Sequence, residues 1–444
     1  MLVTAAFIGP GTVLTASQAG AKYGFSLLWT VAFATITGII LQEMASRLGI
    51  ATGSGFSQAI RGAFKNQFLC WSVLSLVLLG ILFGNSAYQT GNLIGAAAGI
   101  DALSRNWSGE EVERASVRLR SSSSELSSVP SRSWGQVEKA YSVIPLLGVG
   151  ALAGALIIVG RFEWLQRVLT LLVVFMSLTF LLAAGLSWPS LAEIGAGLWP
   201  SIPPNSELLI IGLIGTTVVP YNLFLHASAA SQRWPRDAVR RTADREQAVR
   251  VSAKNTRIAV GIGGIITAAI MITAAAAFEP IRAAGPVKTG FNGLASVAEI
   301  AVQLEPAVGS WATAMFGLGL FAAGLTSAIT APVAAAYAVG GSFNWPPVLT
   351  HWRMKFVALA VLLIGLGFAL KFGAAPKEAV LVAQSLNGLL LPVLAIALLV
   401  IVNRVDIMTR FYNRPLQNLL AVTTILVVTL IAARQVGIFK LSSD

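Results

Sequence analysis

Two short segments combine residues that unwind a helix with neutral oxygens placed at the unwinding. One is Gly9-Pro10-Gly11-Thr12, the other Thr216-Thr217-Val218-Val219-Pro220-Tyr221, about two hundred residues later. Pro10 and Pro220 each remove a backbone donor and crowd the preceding turn, while Gly9 and Gly11 permit dihedrals that other residues avoid. A lone proline kinks a helix; a proline between glycines, or after a Thr-Thr-Val-Val run, opens it. The chemistry this offers is coordination, through the hydroxyls of Thr12, Thr15, Thr216, Thr217 and Tyr221 and the carbonyls freed from the helix ladder. Such a set can hold a cation or a polar solute. Neither segment contains a carboxylate. The reading is of a transporter with hinges at Pro10, Gly11 and Pro220, and not of an enzyme; no cofactor is indicated.

The elements that must position these segments are membrane helices. Of 444 residues, 55% are hydrophobic and only 11% charged, with a mean hydropathy of +0.75. A soluble protein carries about 25% charged residues. Eleven apolar spans are predicted, at roughly 2–22, 27–48, 68–99, 141–160, 163–187, 206–230, 256–279, 308–340, 352–371, 377–402 and 416–437. Spans three and eight are long enough to tilt. In a bilayer an unwound backbone survives only where it lines a cavity, and two breaks in matching places of two halves mark a secondary transporter with a midplane site. The first span lacks the basic flank of a cleavable signal peptide. One cysteine, Cys70, makes no internal disulfide and gives little prospect of a thiolate metal site.

The net charge of +12 reads as topology and not as nucleic-acid binding. Residues 233–257 hold eight basic side chains against Asp237, Asp244 and Glu246, whereas segment 101–140 is balanced, with six of each sign. Arg47 and Arg61 follow span two, Arg161 and Arg167 flank the turn after span four, and Arg404, Arg410 and Arg414 follow span ten. Basic loops face the cytoplasm, so the N-terminus is expected inside and the C-terminus outside an inner or plasma membrane, consistent with an odd number of spans. Ser-rich 101–140 reads as an external polar loop. Within the basic cytoplasmic loop 231–257, the stretch 233–257 reads either as an amphipathic helix on anionic lipid or as purely topogenic. Trp29, Trp71, Trp164, Trp188, Trp199, Trp311 and Trp345 read as interface anchors, and His351 as a solvated boundary residue.

From span one to span ten the chain resembles the Nramp family of divalent-metal transporters. The resemblance rests on Ala16-Ser17-Gln18-Ala19-Gly20-Ala21-Lys22-Tyr23-Gly24, on Leu41 to Gly53, on Pro220-Tyr221-Asn222-Leu223-Phe224-Leu225-His226, and on Gly324-Leu325-Thr326-Ser327-Ala328-Ile329-Thr330. It implies an all-α membrane protein with a LeuT-type 5+5 inverted repeat, helices 1 and 6 unwound at the midplane. Residues 1–190 would form the first repeat, 191–402 the second, and 403–444 an appended eleventh helix with the C-terminus. By the same resemblance Gln384 in span ten matches a polar position near the metal, and His226 a family histidine.

The departures from the family pattern fall on the metal ligands. The family's Asp-Pro-Gly-Asn is Gly9-Pro10-Gly11-Thr12 here, and its Met-Pro-His is Val219-Pro220-Tyr221, so aspartate, asparagine and methionine become Gly9, Thr12 and Val219. Acidic residues linked to proton movement align with Gln89 and Asn92. Moving even a monovalent ion into low dielectric costs on the order of 20 kcal/mol before relaxation, and soft metals want soft ligands. The expected site is Gly9, Thr12, Thr216, Val219, Tyr221 and Gln384, with metal contact limited to backbone or neutral oxygens of Gly9, Thr12, Thr216 and Gln384. Such a site suits hydrated Mg²⁺, which keeps several waters, or a broad set of divalent ions. No acid falls inside spans one, three, six, eight or ten, apart from Glu378 at an edge. Proton coupling is therefore expected to be weak or absent, with His226 the candidate for any proton-linked role. Glu43 is expected to pair with Arg47 at i+4. A carrier of another small solute on this scaffold, and a transport-inactive structural or regulatory membrane protein, are alternative readings of the same replacements. Partners are the small solute and the lipid bilayer; neither nucleic acid nor an obligate protein partner is indicated.

Overall fold

A computed structural model describes residues 9–64, 66–104, 143–160, 163–187, 189–235, 242–284, 294, 297–346, 348–372 and 376–435. Its long helices are α1 (Pro10–Tyr23), α2 (Leu28–Thr52), α3 (Gln67–Ser104), α4 (Val143–Val159) and α5 (Glu163–Leu186) in the first half. The second half has α6a (Glu207–Thr217), α6b (Tyr221–Arg233), α7 (Thr242–Ala277), α8 (Ala312–Ser342), α9 (Trp352–Phe372) and α10 (Pro376–Val402), followed by α11 (Pro415–Gln435). Among the described residues nine helices, counting α6a and α6b as one, are long and apolar enough to cross a membrane; α4 is a shorter apolar helix. With α1 they reproduce the eleven predicted spans. The early part of span one, residues 2–8, lies outside the described residues, as does nearly all of the predicted external loop.

The bundle packs as two halves of opposite sense. Helix α2 packs on α7, α3 on α8 and α4 on α9, each an element against its own counterpart. Packing of α1 on α7 is matched by α6a and α6b on α2, and packing of α3 on α10 by α8 on α5. This is the contact pattern of an inverted repeat. Outward-facing Leu79, Phe83, Leu171, Phe175, Leu363 and Leu426 are exposed, as on a bundle whose solvent is hydrocarbon.

Three expectations need correction. Span seven starts well before 256: α7 begins at Thr242 and carries Arg245, Arg250, Lys254 and Arg257, so much of the basic stretch is helix, as its amphipathic reading allowed. Charge hid this helical start because hydropathy registers only the apolar part of a helix. Glu43 does not pair with Arg47; its Oε2 accepts from Arg257 Nη2 of α7 at 3.2 Å. Arg47, 6% exposed, instead reaches α11 and its approach, donating to Gln417 Oε1 at 2.9 Å and to Asn413 Oδ1. The i,i+4 spacing favours a surface pair by only a few tenths of a kcal/mol, which tertiary partners readily override. Trp29 is not an interface anchor: it is 7% exposed and its Nε1 donates to Ser201 O at 2.8 Å. Trp164, Trp199 and Trp311 are 70–78% exposed, as anchors should be. Trp188 lies outside the described residues.

Candidate functional site

Both predicted breaks exist, with different local chemistry. Gly9 is extended (φ −92°, ψ 171°) and caps α1, whose first residue is Pro10. Proline costs nothing there, because the first N–H of a helix has no partner to lose. The Gly9 carbonyl is not left free, as expected, but accepts from Thr12 N at 3.1 Å and Val13 N at 3.3 Å. In the second break α6a ends at Thr217, Val218 leaves the helical region (φ −107°, ψ 68°) and α6b starts after Pro220. Asn222 N bonds Val219 O at 3.0 Å, and Leu223 N bonds Pro220 O at 3.2 Å. Pro220 has no N–H for the Thr216 carbonyl. In this break the carbonyls of Gly215, Thr216, Thr217 and Val218 are therefore claimed by no backbone amide among the described residues. The unwound carbonyls come from the second break.

The two breaks meet through hydroxyls. Thr12 Oγ1 and Thr216 Oγ1 are 2.8 Å apart and both residues are 1% exposed. Such a bond is worth about 1 kcal/mol net. Gln384 of α10, also 1% exposed, ties in both helices: a Cβ on Gly11 would fall on its side-chain amide, and a Cβ on Gly215 on its backbone carbonyl. Tyr221 is fully buried, its ring edge-on to that of Tyr88 in α3 with centroids 5.6 Å apart. Val219 is buried and belongs to the apolar core. Thus Gly9, Thr12, Thr216, Tyr221 and Gln384 gather where the breaks face each other, and Val219 adds an apolar side chain beside them.

Two residues of this region were not anticipated. A Cβ added to Gly9 would lie 3.1 Å from Tyr88 Oη and 3.3 Å from Ser327 Oγ, with Asn92 Oδ1 at 4.0 Å. Hydroxyls from α3 and α8 thus stand where a side chain at position 9 would go. The signal that could have found them is Gly9 itself, a position emptied of bulk. The hydroxyls of Thr15, Tyr88, Tyr221 and Ser327, Gln384 Oε1, Asn387 Nδ2 and Asn222 Nδ2 are all buried without a hydrogen bond of normal geometry. Tyr88 and Tyr221 have each other as partners. Buried polar atoms are nearly always satisfied, so the remaining five leave bonding capacity along these facing helices that a polar solute can use.

The polar set on α3 is neutral and internally engaged. Gln89 Nε2 donates to Ala328 O at 2.9 Å and Asn92 Nδ2 to Gln89 Oε1 at 3.3 Å. Asn85 donates to Ala331 O at 3.1 Å. His226, 7% exposed on α6b, has an unbonded Nε2. No group of three or more His, Cys, Asp or Glu able to hold a metal occurs among the described residues. One carboxylate lay beyond the predicted end of span three: α3 continues to Ser104 and includes Asp101, 6% exposed, which has an interaction partner.

The end of α1 away from the break is sealed. Gln18 donates to Leu294 O and accepts from Leu294 N, while Gln303 donates to Ser17 Oγ at 2.8 Å and accepts from Thr273 at 3.2 Å. Arg282 donates to Gly20 O of α1 at 3.3 Å and to Ala275 O of α7 at 3.1 Å, clamping the carbonyl ends of both helices. Beyond this seal lies a cavity of about 550 Å³, lined in part by Tyr23, Ser26, Glu193, Glu279 and Arg282.

Comparison with known proteins supplies the remaining evidence. The model of the family described as natural resistance-associated macrophage protein-like (Nramp) matches residues 1–109 and 137–436. The divalent metal cation transporter MntH of Deinococcus radiodurans is 24% identical over 419 residues, covering 93% of this chain and 83% of the relative. The protein of the same description from Yersinia pestis strain Pestoides F is 26% identical over 358 residues, covering 80% and 74%. Among solved structures, the Eremococcus coleocola manganese transporter in complex with an aromatic bis-isothiourea substituted compound superposes with a TM-score of 0.69 at 20% identity, covering 97% of this chain and 83% of that one. MhsT in complex with L-phenylalanine gives 0.53 at 16% identity, with 97% of both chains covered. Those likenesses establish the LeuT-type fold.

Proposed function

The chain belongs to the Nramp family, and from that premise we propose that it is a secondary transporter of divalent cations working by alternating access. It carries hydrated Mg²⁺, or several divalent ions with little discrimination, and does not bind Mn²⁺ or Fe²⁺ tightly. Its halves, residues 1–190 and 191–402, move against each other about Pro10, Gly11 and Pro220. The N-terminus is cytoplasmic, and the sealed end of α1 faces outward. The observation that carries this reading is the neutral break: the Thr12–Thr216 hydroxyl pair, with Gln384, Tyr221 and the unclaimed carbonyls of α6a beside it. A dehydrated divalent ion demands charge that this set lacks, whereas hydroxyl and amide oxygens suit an ion that keeps its waters. The curated relatives are described as divalent metal cation transporters, which favours this cargo over an organic solute.

Purified protein in liposomes gives the test. Saturable Mg²⁺ uptake is expected, with Mn²⁺ and Ca²⁺ competing no more strongly than Mg²⁺ itself and the lumen not acidifying. Micromolar Mn²⁺ affinity with acidification would overturn the neutral-site account, and the absence of flux for every divalent ion would overturn the cation reading. Proton coupling has its own check, because His226 is the histidine of α6b, buried five residues past Tyr221. Flux measured at pH 6 and pH 8 is expected to agree within about twofold in both the native protein and His226→Gln. A steep pH dependence that the substitution removes would assign His226 a proton-linked role.

A further inference from the structure

One end of the bundle carries a ladder of cations and aromatic rings that the transport site does not use. Arg61, in the short helix Phe56–Ala63 after α2, lies 5.8 Å from the ring centroid of Trp71 near the start of α3. Trp71 stands 5.7 Å from Phe343 just past α8, and Phe343 stacks on Trp345 at 5.4 Å. Arg353, at the start of α9, lies 5.5 Å from Trp345 and 5.4 Å from Trp352, so its guanidinium touches two indoles. His351 stacks on Trp352 in turn, at 6.5 Å; it is partly buried and not the solvated residue expected.

Among the described residues, part of the charge at this end has no carboxylate beside it. Arg257, Arg404, Arg410 and Arg434 each have a carboxylate within 3.2 Å. Among the described residues Arg61, Arg353 and Lys355 have none. Arg61 donates only to Ser342 O at 3.1 Å and Lys355 to Ile158 O at 2.6 Å, capping the ends of α8 and α4. Beside them Phe68 is 82%, Trp352 67% and Phe356 66% exposed, an apolar seat next to a cationic one.

We propose that this ladder binds an anionic phospholipid, its phosphate on Arg353 and its acyl chains over Phe356, one turn further along α9. Stacking on indole fixes the plane of a guanidinium and leaves its N–H edge to fork onto phosphate oxygens, which a lysine cannot imitate. Basic pockets between membrane helices take anionic headgroups for this reason. A soluble anion would satisfy the charge but would leave the apolar seat uncovered. The ladder also joins α3, α8 and α9, two of which present Tyr88 and Ser327 to the break.

Native mass spectrometry of the full chain, released from detergent with equimolar phosphatidylglycerol and phosphatidylcholine, tests this. Phosphatidylglycerol is expected to be retained several-fold over phosphatidylcholine in the native protein and at parity in Arg353→Gln. Arg353 has only ring contacts, so the fold should persist; an unchanged melting temperature in pure phosphatidylcholine confirms that it does. Arg353→Lys, which keeps charge but loses the fork, should retain less lipid than the native protein and more than Arg353→Gln. Equal retention of both lipids by the native protein, a preference surviving in Arg353→Gln, or equal stabilisation by inorganic phosphate would each overturn the proposal.

Discussion

Gly11→Ala is expected to reduce divalent uptake about tenfold or more while leaving folded protein in the membrane, because a misplaced group costing 1.4 kcal/mol is already a factor of ten. The added Cβ falls on the side-chain amide of Gln384, the far end of a flexible side chain that can swing away. What is lost is the amide's place between the breaks, not the helix packing. Gly215→Ala has the opposite outcome. Its Cβ meets the Gln384 carbonyl and, at 2.6 Å, the Gly388 nitrogen, both backbone atoms of α10 that cannot move alone. Overpacking of that kind costs about 1–3 kcal/mol or more, and a marked fall in melting temperature is expected. The double variant Gly11→Ala with Gln384→Ala should recover part of the folded-state packing, but not transport, since the amide is then absent. Uptake in liposomes together with thermal melting of the same samples separates the two glycines. Equal loss of stability in both variants would remove Gln384 from the site and leave it as packing.

Much of this architecture was legible before any coordinates, for physical reasons that also explain the failures. Helices in a bilayer need long uncharged runs, so their number and rough limits show in hydropathy; the breaks show because only proline and glycine unwind backbone so cheaply. Thr12, Thr216 and Tyr221 were legible from the two breaks themselves, whereas Gln384 came from the family pattern and not from local propensity. What could not be read is anything that depends on which helix faces which. Tyr88 and Ser327 sit in ordinary apolar helices, and only the packing of α3 on α8 beside Gly9 gives them a role. Arg47 abandons its i+4 neighbour because Asn413 and Gln417, more than 360 residues away, come within reach. The freed carbonyls were expected at both breaks, yet Gly9 spends its own on the start of α1. A cap is a local competitor that a motif does not display.

The same geometry predicts the outcome of restoring the family ligands. Gly9→Asp combined with Thr12→Asn and Val219→Met is expected to fold and still to bind Mn²⁺ weakly. The new carboxylate would arise beside Tyr88 Oη and Ser327 Oγ, two buried hydroxyls able to donate to it. Hydrogen bonds to a charged group are worth about 1.5–3 kcal/mol each, so the pair would draw the carboxylate toward α3 and α8 and occupy its lone pairs. Thr12→Asn also breaks the 2.8 Å hydroxyl contact that now holds the two breaks together. Removing the competing donors reverses the balance. With Tyr88→Phe and Ser327→Ala added, the carboxylate is left buried and unsatisfied, a condition that a divalent ion relieves. Titration calorimetry should then show Mn²⁺ affinity rising by about a hundredfold over the three-residue variant, the equivalent of two lost charged hydrogen bonds at the low end of their range. If the three-residue variant binds as tightly as the five-residue one, the hydroxyls of α3 and α8 are bystanders, and Gly9 is empty for a reason other than the one they supply.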